Sequence, residues 1–414
     1  IPLRLVGSEM CIRDRHNSYS DKTPTGEEHA SNELVKLLEE HGHEVEWFTR
    51  TSDSISEQRF GKVRAFFTGI NYPKIAKELS KVLDEYKPDI VQVQNLYPLI
   101  SSSIFKPLND RKIPVVMRCP NYRLFCPAGL SLDSKGKVCE RCWSGFHEIN
   151  CVIHNCQHSF AASLGYALRN AFNRISGRIL KGVDVFIVQS EFQKNKFMNQ
   201  GIEADRIGIV PGISPTITSP KDDVMGDWVS FVGRVSIEKG IYEFIEAARK
   251  NPKIPFKVAG FFDDNFVIPK DCPSNLEFMG FLKGESLDDF YAKSRIIVVP
   301  SKWYEGFPNV ILRGFLFKRP VITTNIGAMQ SIVETGNNGI LVKPGDVKEL
   351  SNAIQNLYPD IELCKKYGMN GCKKTESLYS REQIYHDLIS VFEQAIINLS
   401  LIHISEPTRR RGIS

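Results

Sequence analysis

The sequence predicts an α/β protein built of two doubly wound, Rossmann-like domains that face a central cleft. Three observations carry this prediction. Short β-branched runs alternate with helical patterns from His16 to about residue 399, as in βαβ units that feed parallel sheets. The alternation restarts after 213–227, a stretch rich in proline, threonine, serine and aspartate, which marks a linker. The 414 residues leave room for two or three domains at about 150 residues each.

In the first half, apolar residues at Leu34, Leu37 and Leu38 define a helix opening near Gly26 and stopped by Gly42, and 44–50 follows as a strand. Residues 51–70 are less regular and precede a helix over 73–86. Strands are expected at 89–94, 113–118, 183–190 and 207–212, which makes 16–212 the first domain. Past the linker, strands fall at 228–234, 256–260, 276–280, 296–301, 320–325 and 339–343. Helices lie between and beyond them at about 239–250, 285–293, 307–318 and 347–358, so the second domain spans 228–370. A final segment, 371–399, carries a last helix at about 380–397 that can pack back on the first domain. Ligands of such folds bind at the C-terminal ends of the strands, in the cleft.

Composition narrows the function. Hydrophobic residues make 42% of the chain and charged residues 24%, so it is a globular chain. No apolar run approaches the roughly 20 residues that span a bilayer. Of the net charge of +5, residues 1–15 contribute +1 and residues 401–414 contribute +2, leaving +2 for the body. So small a charge gives no warrant for binding nucleic acid. The ends themselves, VGSEMCIRDR (6–15) and LIHISEPTRRRGIS (401–414), share no periodicity with their neighbours. Residues 1–15 and 400–414 therefore read as non-native, adaptor-like segments outside the fold, and the first β-strand is expected to be missing.

Two stretches carry chemistry. Gly233-Arg234-Val235-Ser236-Ile237-Glu238-Lys239-Gly240 sits at a strand-to-helix turn, where helix N–H groups and two cations suit a diphosphate. Lys302-Trp303-Tyr304-Glu305-Gly306-Phe307-Pro308-Asn309-Val310 follows another strand and opens a helix. Glu305 can accept hydrogen bonds from sugar hydroxyls, or else caps the helix. Gly306 admits a close ligand, and Pro308 suits a first helical turn.

GRVSIEKG followed about 65 residues later by a strand, EGFPNV and a helix resembles the family 4 retaining glycosyltransferases (glycosyl transferases group 1) with the GT-B fold. The resemblance covers about 16–399 and extends to HNSYSDKTPTGEEHASNELVKLLEEHGHEVEWFTR, KPDIVQVQNLYPL, NYRLFCPAGL, VDVFIVQSEFQKNKF and NIGAMQSIVETGNNGILVKPGD. It implies that Arg234 and Lys239 grip the diphosphate of a nucleotide-sugar donor and that Glu305 contacts the donor sugar. Gly233 and the backbone of Gly306, Phe307, Pro308, Asn309 and Val310 would line the donor, and Gly26 would face the diphosphate from the first domain. The implied reaction transfers a sugar with retention to a glycan or lipid-linked saccharide, in surface polysaccharide synthesis. It needs no catalytic metal or other cofactor: the chain has no Asp-x-Asp triplet, and cationic side chains take the metal's place.

The chain departs from the family in two places. Arg313 stands where a second glutamate usually binds the ribose, and it is expected in the donor cleft. Pro120 stands where a histidine often precedes the asparagine-tyrosine-arginine segment. These departures motivate two alternatives, a non-catalytic nucleotide-sugar or glycan binding protein and a nucleotide-sugar epimerase of related fold.

An insertion over 119–158 concentrates cysteines. Cys139 and Cys142 form a C-x2-C pair, and Cys126 with Cys156 (or Cys151) completes four ligands for a structural zinc. His147, His154 and His158 are further ligand candidates, and reduced thiols or disulfides are the alternatives. Helix region 160–181 sets Arg169, Arg174, Arg178 and Lys181 beside Leu164, Leu168, Phe172, Ile175 and Ile179. Such a helix either lies on an anionic membrane or packs in the core with a solvated basic face. The expectation is a cytoplasmic protein with peripheral contact at the inner membrane face.

Overall fold

The computed structural model describes residues 4–8, 12–13, 26–48, 50–51, 68–94, 96–97, 100–217, 224–263 and 266–405. Labels are given to the strands of the two large sheets and to helices of six or more residues. The first domain contains β1 (Arg4–Ser8), α1 (Gly26–Glu40), β2 (Glu44–Val45), α2 (Pro73–Tyr86) and β3 (Ile90–Val93). It continues with α3 (Phe105–Asp110), β4 (Val115–Arg118), α4 (Phe160–Ser176), β5 (Val185–Val188), α5 (Glu191–Met198) and β6 (Ile207–Ile209). The second contains β7 (Trp228–Val232), α6 (Ile241–Lys250), β8 (Phe256–Ala259), β9 (Leu276–Gly280), α7 (Glu285–Ala292) and β10 (Ser294–Val299). After these come α8 (Asn309–Leu316), β11 (Val321–Thr324), β12 (Gly339–Val342), α9 (Val347–Leu357), α10 (Ile361–Leu378) and α11 (Arg381–Ser405).

Among the described residues there are two six-stranded sheets, ordered β2-β1-β3-β4-β5-β6 and β9-β8-β7-β10-β11-β12. Their ladders are parallel throughout, as between Val229 and Phe256 or Ile297 and Val321. The chain order reverses between β1 and β3 in the first sheet and between β7 and β10 in the second, which opens a crevice at each point. Strands β3, β4 and β5 are buried along their whole length, as expected of a parallel sheet covered on both faces.

The helices follow their apolar spacing. In α6, Ile241, Phe244, Ile245 and Ala248 form one buried stripe. Pro73 starts α2, which buries Ile75, Leu79 and Leu83. Helix α11 buries Ile384, Leu388, Val391, Phe392 and Ala395 against Leu34, Leu37, Val116, Val185 and Ile187. The last helix therefore completes the face of the first domain, and Arg381 ties it to Glu33 (3.0 Å) and Glu40 (2.8 Å) on α1.

Both ends differ from the sequence reading. Arg4–Ser8, set outside the fold above, forms β1 and pairs with β2 on one side and β3 on the other. The gap expected in the sheet is therefore filled. A ladder is made by backbone N–H and C=O groups, so a short extended run can supply it whatever its side chains. At the other end α11 continues to Ser405, through part of the stretch read as a tail.

Candidate active site

The two motif loops meet at the crevice of the second sheet. Gly233–Gly240 leaves β7 and enters α6, while 300–308 leaves the adjacent β10 and enters α8. The Lys302 N–H donates to the Glu238 carbonyl at 2.8 Å, joining the loops through their backbones. Gly240 sits at φ +79°, and a Cβ there would lie 2.0 Å from the Pro300 carbonyl oxygen. Only glycine lets the loops approach so closely.

Glu305 is the centre of the site. It is 6% exposed, and its Oε1 accepts from Lys239 Nζ at 2.6 Å, Ser301 Oγ at 2.6 Å and Trp303 Nε1 at 2.9 Å. Three converging donors, one of them charged, make such burial of a carboxylate tolerable. Arg234 is held within its own loop region, by Glu238 and by Asp263 at 3.3 Å. Ser236 Oγ steadies Glu238 at 2.7 Å, and Lys302 pairs with Glu243 at 2.8 Å. The fold thus brings Arg234, Lys239 and Glu305 onto two connected loops at one crevice.

The following residues face the first domain. A Cβ on Gly306 would lie 2.4 Å from the Pro120 carbonyl oxygen and 2.7 Å from Gln189 Oε1. Phe307 and Asn309 cover Gly212 in the same way, at 2.3 and 2.6 Å from a Cβ there. Pro308 caps α8, Asn309 and Val310 begin it, and buried Asn309 Oδ1 makes no hydrogen bond among the described residues. Gly26 opens α1; the loop before it lies outside the described residues.

Arg313 has partners of its own. Its guanidinium reaches Asp288 of α7 at 3.3 Å and the Thr216 carbonyl at 3.1 Å. Asp288 is buried, so it needs a cation, and Arg313 supplies it.

The cysteine-rich insertion stands beside this site. Glu140, inside the C-x2-C pair, accepts from the Tyr304 hydroxyl at 2.8 Å and pairs with Lys196 of α5 at 2.5 Å. Tyr304 also packs on Tyr122 and Phe192. Tyr304 lies in the second motif and Glu140 inside the C-x2-C pair, yet sequence reasoning gave neither a role and missed Asp288, because a contact between residues so far apart in the chain leaves no local pattern. Every described cysteine is a free thiol. Burial pushes Cys142 up to about 12, helped by Cys126, Cys156 and Cys139 close by. Burial also raises Cys126, against backbone N–H groups of Ser131, Gly129 and Ala128 aimed at its sulfur. A hydrogen bond from Cys151 draws Cys156 down to about 7. Among the described residues, no group of three or more His, Cys, Asp or Glu side chains is placed to hold a metal ion.

Helix α4 does not keep the basic face expected of it. Arg169 turns inward, 5% exposed, with its guanidinium over the rings of Tyr97 and Tyr166 and donating to the Pro127 carbonyl at 3.0 Å. Ile179 is buried, whereas Phe160, Leu168 and Ile175 are exposed. Among the described residues no helix is long and apolar enough to cross a membrane.

Residues 226–360, which include both motif loops, match the family "Glycosyl transferases group 1". An uncharacterized 42.6 kDa protein in the cps region of Klebsiella pneumoniae is 28% identical over 268 residues, 63% of each chain. The capsular polysaccharide biosynthesis glycosyltransferase CapM of Staphylococcus aureus is 30% identical over 173 residues, 40% of this chain and 45% of that one. The matched stretch thus spans less than two thirds of these relatives. Sucrose-phosphate synthase from Thermosynechococcus elongatus superposes with a TM-score of 0.63 at 17% identity, over 90% of this chain and 94% of that one. HepE from Anabaena in complex with UDP superposes with a TM-score of 0.58 at 18% identity, over 87% and 89%. The chain therefore has the GT-B fold, and its likeness to the glycosyl transferases group 1 family lies in residues 226–360.

Proposed function

We propose that this protein is a retaining glycosyltransferase that moves a sugar from a nucleoside-diphosphate donor to a glycan or lipid-linked saccharide during polysaccharide assembly. The observation that carries the reading is the Lys239–Glu305 pair, which joins two motif loops at the crevice of the domain that matches the family. In this reading Arg234 and Lys239 neutralise the diphosphate as it leaves. Glu305 and the backbone from Gly306 to Val310 hold the sugar, and Gly233 lines the phosphates. The developing charge falls on fixed cations at a partly dry site, where each counts for several kcal/mol. No divalent ion is required for this step. The relative named for capsular polysaccharide biosynthesis and the neighbour solved with UDP support the donor and pathway class.

The test is nucleoside diphosphate release from a panel of nucleotide sugars, with an acceptor and with a chelator present. Release that survives chelation, with the product anomer unchanged, supports the reading. One observation favours a second reading: Pro120 presents only a backbone carbonyl to Gly306, so a binding protein without turnover would show tight donor binding and no release.

We propose a structural zinc at Cys126, Cys139, Cys142 and Cys156, with Cys151 as the alternative ligand, supported by the N–H groups aimed at Cys126; since no three metal-ligating side chains among the described residues are grouped to hold an ion, the thiols would have to close around it. Zinc binds thiolates, so binding would displace any proton the ligand thiols carry. About one zinc per chain in protein purified without added metal is the expected result. Peripheral contact with the inner face of the membrane is proposed for the surface of Phe160, Leu168 and Ile175 beside Arg178 and Lys181.

A further inference from the structure

The insertion over 119–158 reaches both motif loops of the second domain. A Cβ on Gly136, at the turn closed by the Leu132–Val138 bridge, would lie 3.8 Å from Ile237 Cγ2. Farther along, Glu140 accepts from the Tyr304 hydroxyl at 2.8 Å. The backbone around it fixes where Glu140 stands. The Cys139 N–H donates to the Ser131 carbonyl at 2.8 Å, and the Trp143 N–H donates to the Glu140 carbonyl at 3.1 Å. The buried Trp143 indole then donates to Ser131 Oγ at 3.2 Å, which closes the turn on itself. Lys196 of α5 pairs with the Glu140 carboxylate at 2.5 Å.

Tyr304 belongs to the second domain, yet its ring packs on the core of the first. Tyr122 meets it edge-on at 5.7 Å and Phe192 at 4.8 Å between ring centroids, and the Lys196 ammonium lies 5.4 Å from its centre. Burial pushes the Tyr304 hydroxyl well above its usual range, so it stays protonated as a donor. The next residue, Glu305, turns back to Lys239, Ser301 and Trp303 in its own domain. One peptide therefore sends a side chain into each domain. The Glu305 N–H donates to the Trp303 carbonyl at 2.9 Å. A Cβ on Gly327 would lie 3.2 Å from the Glu305 nitrogen and from the Tyr304 Cα. A peptide so confined moves as a unit, and the place of Tyr304 fixes the place of Glu305.

We infer that Glu140 is a positioning residue for sugar transfer: by holding the Tyr304 hydroxyl it sets where the Glu305 carboxylate stands beside Lys239. The inference rests on the reading of Glu305 as the residue that holds the donor sugar, and it ties that carboxylate to the first domain. Transfer depends on the alignment of the reacting groups, and a displacement of about 1 Å can cost about a hundred-fold in rate. Arg234 and Lys239 reach the diphosphate from the other loop, so the loss should fall on turnover and leave the grip on UDP in place.

Trp303 supplies the readout, because its Nε1–H donates to Glu305 Oε1 at 2.9 Å and its ring lies 5.3 Å from Lys239 Nζ. The experiment records the indole N–H resonances of the full-length protein, with Trp303 assigned by Trp303→Phe and Trp228 of β7 as the control. Tyr304→Phe keeps the ring and Glu140→Ala removes the acceptor. Each should move the Trp303 resonance and speed its exchange with solvent about ten-fold or more, the scale of one hydrogen bond to a charged group. Glu140→Gln keeps an acceptor oxygen and should stay near the unaltered protein. In a panel of nucleotide sugars, turnover by Tyr304→Phe and Glu140→Ala should fall about ten-fold or more, with UDP affinity by calorimetry within about two-fold. If Glu140→Ala disturbs the insertion, Tyr304→Phe gives the same readout. An unmoved Trp303 resonance in Tyr304→Phe overturns the inference. So does a Glu140→Gln response as large as that of Glu140→Ala, or unchanged turnover in a variant whose Trp303 resonance moves. If the unaltered protein turns over no nucleotide sugar, the donor reading fails, and the Trp303 resonance still decides whether Glu140 sets Glu305.

Discussion

Lys239→Met tests the centre of the site. The substitution keeps much of the side chain's length and removes its charge, leaving Glu305 with Ser301 Oγ and Trp303 Nε1 as donors. The Glu305 side chain is 7% exposed and that of Lys239 is 26% exposed. Breaking a fully buried pair costs about 3–5 kcal/mol, and a lysine that is one quarter exposed places this pair lower, at about 2–3 kcal/mol. For a domain of this size each kcal/mol shifts the midpoint by about 2–4 °C. Scanning calorimetry should therefore show the second domain melting about 4–12 °C lower. Glu305→Gln in the Lys239→Met background should restore part of the loss, with a coupling of about 1–2 kcal/mol in a double-mutant cycle. Donor turnover should fall about 30- to 1000-fold, for loss of one cation at the leaving diphosphate. A single-variant loss below about 1 kcal/mol together with additive effects would refute the reasoning, because the two side chains would then not depend on each other.

Three further outcomes follow from particular contacts. Gly306→Ala should reduce donor turnover by about ten-fold or more with little change in melting temperature, since its methyl would press on the Pro120 carbonyl and Gln189 and hold the two domains apart; steady-state kinetics check it. Arg313→Glu should lower stability by about 3 kcal/mol or more in denaturant unfolding, because it sets a second carboxylate beside buried Asp288. Arg381→Ala should lower stability by about 1 kcal/mol, because it removes the two half-exposed ion pairs between α11 and α1. Burial alone would raise Glu33, but bonds from Lys36 and Arg381 outweigh it and hold its carboxyl below the ordinary 4.5. A lowered folded value means that this contribution is complete above pH 4.5 and is lost as the pH falls through the folded value. The Arg381→Ala difference measured by chemical unfolding should therefore shrink in acid.

Much of this was legible in the chain. The alternation of strand and helix, the break near 213–227 and the placing of Arg234, Lys239 and Glu305 just past strand ends are all local signals. Each depends on residues within one or two turns or one strand, where period and turn chemistry act directly. The side-chain partners were not legible. The sequence places Arg169 on a basic face, yet the aromatic rings of Tyr97 and Tyr166 and the Pro127 carbonyl draw it inward. It equally gives no sign that Arg313 answers Asp288 or that Tyr304 reaches Glu140.

What the sequence by itself determined, then, is the set of elements, their type and the loops that bear charge. Only the tertiary structure decided that Lys239 meets Glu305 across 66 positions and that Glu140 meets Tyr304 across 164. It also decided that Arg4–Ser8 fills the slot between β2 and β3 and that α11 closes the first domain. The reason is physical. Elements form from contacts between near neighbours, whereas strand order and buried charge pairing follow from which surfaces exclude water together, and that depends on every element at once.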